Sequence, residues 1–150
     1  MSMEGTVLVT ITGGQGEITN TYEGQCYDKN GHHYVLFQEE LTEDGGKNRV
    51  AFSSRLKIEE DQVTLRRNAV SGEGAANKTV MEFIYREQAK GERGCMVDYP
   101  SPYGLMQLEI LTKKLRIAKE DGEIRVHVFY HMLQTGQEIS RDELKIWIKK

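Results

Sequence analysis

Proline and cysteine are nearly missing from this 150-residue sequence, no apolar run is long, and no block of like charge occurs. Each shortage closes off a class of protein. Two cysteines, Cys26 and Cys95, lie far apart and cannot build the disulfide framework of a small secreted domain, so reduced thiols are expected. No apolar stretch approaches the roughly 20 residues that cross a bilayer as a helix. The start, "MSMEGTVLVTITGG", has neither the basic region nor the apolar core of a signal peptide. A cytoplasmic protein with no membrane partner is therefore the expectation. The net charge of −3 is modest and interspersed, without a basic stripe, so no nucleic-acid partner is expected either. The length suits a single domain over residues 1–150.

What is present is alternation with a period of two, almost from end to end, and hardly any helical period. "TVLVTITG" puts Val7, Val9 and Ile11 on one face and threonines on the other. "ITNTYEGQCYD" runs to Asn30-Gly31, the strongest short signal for a two-residue hairpin, and "HHYVLFQEEL" runs back. "RVAFSSRLKI", "VTLRRNA", "KTVMEFIYRE" and "CMVDY" continue the pattern, separated by "EDGGK", by Asp61-Gln62, by the loop "VSGEGAAN" and by "KGERG". Both prolines, Pro100 and Pro102, fall in "PSPYG". A proline cannot donate to a ladder and holds its predecessor extended, so this stretch reads as the end of one strand and the aim of the next.

"YGLMQLEILTKKLRIAKE" is longer than most strands, which predicts a bend or bulge near Thr112-Lys113. "IRVHVFYHML" and "DELKIWIKK" follow. The last segment also admits a helix capped by Ser140 with Glu143 three residues on, but Leu144, Ile146 and Ile148 alternate with Lys145, Trp147 and Lys149, so a strand is expected. An antiparallel meander of about 8–10 short-turned strands escapes exposed edges by closing on itself, so the fold class is an all-β barrel.

Several segments in order carry a family likeness: "YVLFQEE" at 34–40, "SRLKI" at 54–58, "VTLRR" at 63–67, "MEF" at 81–83, "PYGLMQLEILTKKL" at 102–115 and "LKIWI" at 144–148. The sequence resembles the YwiB-like family of small bacterial proteins, calycin-like β-barrels without an assigned activity. Two positions depart from that pattern: Ser101 stands where threonine is expected, and Ala69 where glycine is expected two residues after Arg67. The resemblance implies a lipocalin-like barrel able to hold a small ligand inside, and implies no reaction.

Three charged residues fall in phase with apolar positions. Glu39 shares a face with Val35 and Phe37, Arg67 with Val63 and Leu65, and Glu82 with Val80 and Ile84. If those faces point inward, two carboxylates and a guanidinium meet inside, where a charge must be paired or engaged by a ligand. Glu39, Arg67 and Glu82 are thus the candidate ligand-binding residues. The competing reading is an internal ion pair that closes one end of the barrel.

Other groups carry weaker signals. His127 and His131 lie two pleats apart on a strand, roughly 13 Å, too far for a metal pair. His32-His33 abuts the Asn-Gly turn and reads as ordinary. Cys26 alternates with Tyr22 and Gly24 as a small packed residue, and Cys95 has no base in any nucleophile signature. Asp28-Lys29-Asn30-Gly31 lacks the later ligands of a calcium loop, and "SGEGAAN" lacks the lysine and helix of a phosphate loop. Tyr22, Tyr34, Tyr85, Tyr99, Tyr103 and Tyr130 suit a pocket wall, but tyrosine is also common in plain strands.

No catalytic residue, metal site or cofactor is expected. The leading function is a barrel that binds a small polar or amphipathic ligand inside or at its mouth. The alternatives are a small hydrolase or isomerase that uses the inward Glu/Arg pair, and a non-catalytic interaction barrel whose partner is a second copy of itself.

Overall fold

The computed structural model describes residues 2–13, 19–43, 48–71, 80–101 and 104–150. Ten strands carry nearly all of them: β1 (Gly5–Gly13), β2 (Thr19–Lys29), β3 (His32–Glu43), β4 (Asn48–Ile58), β5 (Val63–Ser71), β6 (Val80–Tyr85), β7 (Cys95–Ser101), β8 (Gly104–Glu120), β9 (Glu123–Gln134) and β10 (Gln137–Lys149). No helix among the described residues is long and apolar enough to cross a membrane. The strands form one sheet in the order β6-β5-β4-β3-β2-β1-β10-β9-β8-β7, and every ladder within it is antiparallel. The sheet curls into a nearly closed barrel. The expected all-β meander is thus borne out, with two sequential halves joined through the first and last strands.

Local chemistry sets the turns. Asn30 and Gly31 both adopt positive φ, 54° and 79°, the mirror-image turn whose twist matches the strands it joins. It pairs Lys29 with His32 and Asp28 with His33. The expected bulge in the long strand lies between Thr112 and Lys114, where the β8–β9 register shifts. Pro100 sits near the end of β7, opposite Leu105; β7 ends the sheet, so the missing N–H interrupts no ladder on its outer side. Pro102, Tyr103, "GEGAAN" and most of "EDGGK" lie outside the described residues.

The interior follows the alternation. Val7, Val9 and Ile11 of β1 meet Ile124, Val126 and Val128 of β9 and Leu144, Ile146 and Ile148 of β10 in one continuous apolar core. The C-terminal segment is a strand, not a helix, with Trp147 on the outer face. Burying each such aliphatic side chain stabilises the fold by about 1.5–3 kcal/mol before entropy is charged against it.

Among the described residues, β6 and β7 form no ladder with each other. There the linking segment reaches back to the free edge of β8. Gln88 N–H donates to Thr112 O at 3.3 Å. The Gln88 Oε1 accepts from Thr112 N at 2.7 Å, and Glu87 Oε1 accepts from Leu115 N at 2.8 Å. Side-chain oxygens thus occupy edge donors that a strand would otherwise take.

Candidate functional site

β3, β4 and β5 lie side by side, and at one end of the barrel three of their inward residues are polar. Phe37 pairs with Ser54, Ser54 with Arg67, and Glu39 with Phe52. This register sets three polar side chains on neighbouring strands within reach of each other. Glu39 is 2% exposed. Its Oε1 accepts from Arg67 Nε at 2.9 Å and from Ser54 Oγ at 2.7 Å, and its Oε2 accepts from Arg67 Nη2 at 2.9 Å. The guanidinium fork therefore grips the carboxylate in two places, the strongest form of this pair. Burial works against the Arg67 charge, but the hydrogen bonds and charge of Glu39 outweigh it and push Arg67 further up. The Phe83 ring covers the guanidinium, 5.7 Å from its carbon. Among the described residues, Arg67 Nη1 has no hydrogen-bond partner.

A cavity of about 410 Å³ opens beside this pair. Arg67 and Glu39 sit in its wall with Tyr22, Tyr85, Tyr130 and Leu108, and most of the remaining lining is apolar. Tyr22 packs on Phe37 with ring centroids 5.8 Å apart, and Tyr85 on Tyr130 at 5.2 Å. Burial pushes the Tyr130 hydroxyl up to about 12, with the Asp142 charge adding to it. Burial also drives Tyr85 well up, with Tyr130 adding.

Both phenols are therefore protonated in the fold at pH values where an unfolded tyrosine, with a pKa of about 10, ionises. Because the folded-state values are raised, their stabilising contribution is complete below pH ~10 and is lost as pH climbs from there toward about 12. A spectrophotometric titration of the seven tyrosines is expected to show a late step that coincides with alkaline unfolding and shrinks in Tyr85→Phe and Tyr130→Phe. Seven tyrosines ionising together near pH 10 in a still-folded protein would contradict it.

Glu39 and Arg67 are thus brought together inside the barrel, as their phase with apolar residues predicts. Glu82 is not with them. Met81, Phe83 and Tyr85 are buried and form the inward face of β6, which turns Glu82 outward, 3.9 Å from Arg66 across the β5–β6 pair. Both sides of "VMEFIY" are apolar, and the bulkier side takes the interior. The inward placement of Glu82 is corrected accordingly.

Ser54 is a site residue that the sequence reading passed over. Its signal was the Ser53-Ser54 pair in a strand otherwise alternating toward Phe52 and Leu56. Of the tyrosines, Tyr22, Tyr85, Tyr99 and Tyr130 line the cavity, whereas Tyr34 lies half-buried near the Lys57 ammonium.

The remaining candidates lie elsewhere. His127 and His131 face outward and pair with β10 carboxylates, His127 with Glu143 at 2.5 Å and His131 with Glu138 at 2.8 Å. The hydrogen bond from His127 holds the Glu143 carboxyl below its usual range. Cys26 and Cys95 are both free thiols. Burial first, then the charges of Asp28 and Glu4, push the Cys26 thiol up to about 11, which leaves it unreactive as a nucleophile at neutral pH.

The family model described as a domain of unknown function, DUF1934, matches residues 5–146. The crystal structure of the ywiB protein from Bacillus subtilis superimposes with a TM-score of 0.69 at 16% identity, over 99% of this chain and 94% of that one. A likeness at that identity speaks to the fold. No curated protein matches the sequence.

Proposed function

Because the chain belongs to the DUF1934 family of domains of unknown function, whose description names no reaction, we propose a function from the cavity itself. The barrel binds a small amphipathic molecule whose polar acceptor group meets Arg67 and whose apolar body lies along the cavity wall. The observation that carries this reading is the guanidinium beside an open volume of about 410 Å³, within the usual size of small-molecule sites, with Nη1 still free to donate among the described residues. The Glu39 carboxylate cancels most of the arginine charge. The head group is therefore recognised by hydrogen bonding as much as by charge, which suits a carboxylate, a carbonyl or a phosphoryl oxygen alike. Catalysis by Glu39 is the weaker reading, since its oxygens already accept three hydrogen bonds and are poorly placed to take a substrate proton.

Native mass spectrometry of protein purified gently from its own cells is the direct test. A bound small mass that is released on denaturation is expected. Octanoate, a short amphipathic carboxylate, should bind the emptied protein and should bind Arg67→Lys at least ~10-fold more weakly, because a lysine cannot reproduce the fork. A bare mass in the native spectrum, together with no saturable octanoate binding, would sink the proposal.

A further inference from the structure

The opposite end of the barrel holds a second constellation, which the cavity does not use. Glu39 lies six residue steps along β3 from His33, about 20 Å along the strand. The Asn30-Gly31 turn fixes the register there: Asp28 lies opposite His33, and Cys26 lies two residues along β2 on the same face. His33 Nδ1 is 2.6 Å from Asp28 Oδ1, and Cys26 Sγ is 4.0 Å from the same oxygen. One donor atom from each residue lies within 4.8 Å of the other two. Cys26 and His33 are buried, and Asp28 is half-buried.

We propose that Cys26, Asp28 and His33 form a binding site for a divalent transition-metal cation of the zinc class. Four arguments support it. First, the donors are a sulfur, an imidazole nitrogen and a carboxylate oxygen, the set that favours zinc over calcium or magnesium, which take oxygen ligands. Second, metal–ligand bonds of about 2.0–2.3 Å place tetrahedral donors about 3.3–3.8 Å apart, so the observed separations need only small side-chain rotations.

Third, charge balances. One thiolate and one carboxylate neutralise a dication, so the filled site is itself uncharged. The Cys26 thiol gives its proton to solvent, His33 coordinates through the Nδ1 lone pair with its proton on Nε2, and water takes the remaining position.

Fourth, the structural duty of Asp28 falls on its other oxygen. Oδ2 accepts from Met3 N at 2.9 Å and from Ser2 Oγ at 3.4 Å, which ties down the segment before β1. Oδ1 is left facing the imidazole and the thiol. An anchor for the N-terminal segment accounts for Oδ2 but not for the convergence of His33 and Cys26 on Oδ1.

The test uses the full chain, stripped with a chelator, kept reduced, and titrated with Co2+ alone. Expected are saturation at one equivalent, a sulfur-to-cobalt charge-transfer band, intense visible bands of a four-coordinate ion, and displacement of all of them by Zn2+. Cys26→Ser should abolish the charge-transfer band, and Cys95→Ser should keep it. His33→Gln should weaken binding at least ~10-fold. Zn2+ should raise the melting temperature of the parent protein and leave that of Cys26→Ser unmoved. Circular dichroism confirms that each variant is folded; Cys26→Ser and His33→Gln leave the Met3 anchor in place, so they carry the test if Asp28→Asn does not fold. Absence of one-equivalent binding overturns the proposal. So does a cobalt spectrum that is unchanged in Cys26→Ser, which would place the ion elsewhere.

Discussion

Arg67→Met is expected to cost about 3–5 kcal/mol of stability, while Glu39→Leu with Arg67→Met together costs little or nothing. The single change leaves the Glu39 carboxylate, whose side chain is 1% exposed, with only the Ser54 hydroxyl to compensate it. Removing both charges removes the desolvation penalty along with the attraction, and two apolar side chains can pack against Leu65, Phe37 and Phe83 in their place. Urea unfolding of the parent, both single variants and the double variant closes the cycle. Equal costs for the single and double changes, or a single change worth less than ~1 kcal/mol, would show that water reaches the pair and that it is not a buried one. If the double variant is stable yet carries no ligand, then the pair is kept for what it binds. The same four proteins thus separate a stabilising ion pair from a recognition element.

Gly13→Ala is the other severe change, expected to destabilise by on the order of 3 kcal/mol or more. Gly13 closes β1 with φ at +118°, and a Cβ there would lie 2.1 Å from the backbone oxygen of Glu143 on β10. That oxygen belongs to the ladder and cannot swing aside as a side-chain end would. Either the β1–β10 joint opens or the glycine's backbone changes region. Gly31 supplies the control: it too has positive φ, +79°, but open space where a Cβ would go. Gly31→Ala therefore meets only the backbone penalty, about 1–2 kcal/mol. At about 2–4 °C per kcal/mol for a chain of this length, the two melting temperatures should differ visibly. If they fall together, the close approach at Gly13 is not rigid.

Much of this was legible from alternation alone. In "TVLVTITG" and "LKIWI" one face is wholly apolar and the other is polar apart from Leu8 and Trp147, which stay exposed, so the phase with the unbroken apolar face is the observed one. Glu39 and Arg67 stood out because each continues such a phase with a charge. The reading failed where both phases are apolar. In "VMEFIY", Val80 and Ile84 compete with Met81, Phe83 and Tyr85, and alternation alone does not place Glu82; the greater bulk of the other side and the pairing with Arg66 across β5 do. Ser54 was similarly hidden beside Ser53. The meeting of Cys26 with His33 was within reach, because an Asn-Gly turn fixes which residues face each other, but register must be carried back from the turn before two unremarkable residues become neighbours.

The absence of a β6–β7 ladder among the described residues also constrains how the chain folds. Within β1–β6 and within β7–β10, every ladder joins strands consecutive in sequence, so each half assembles through local hairpins with little loop-closure entropy. What unites the halves is the pairing of β1 with β10, where Leu8 meets Lys149 across nearly the whole sequence. That contact has the longest loop to close and only preformed hairpins to recruit, so it belongs late on the folding path, after both half-sheets exist. Until then each half exposes an apolar face and an unpaired edge, and the last zip of the termini is the step that hides them both.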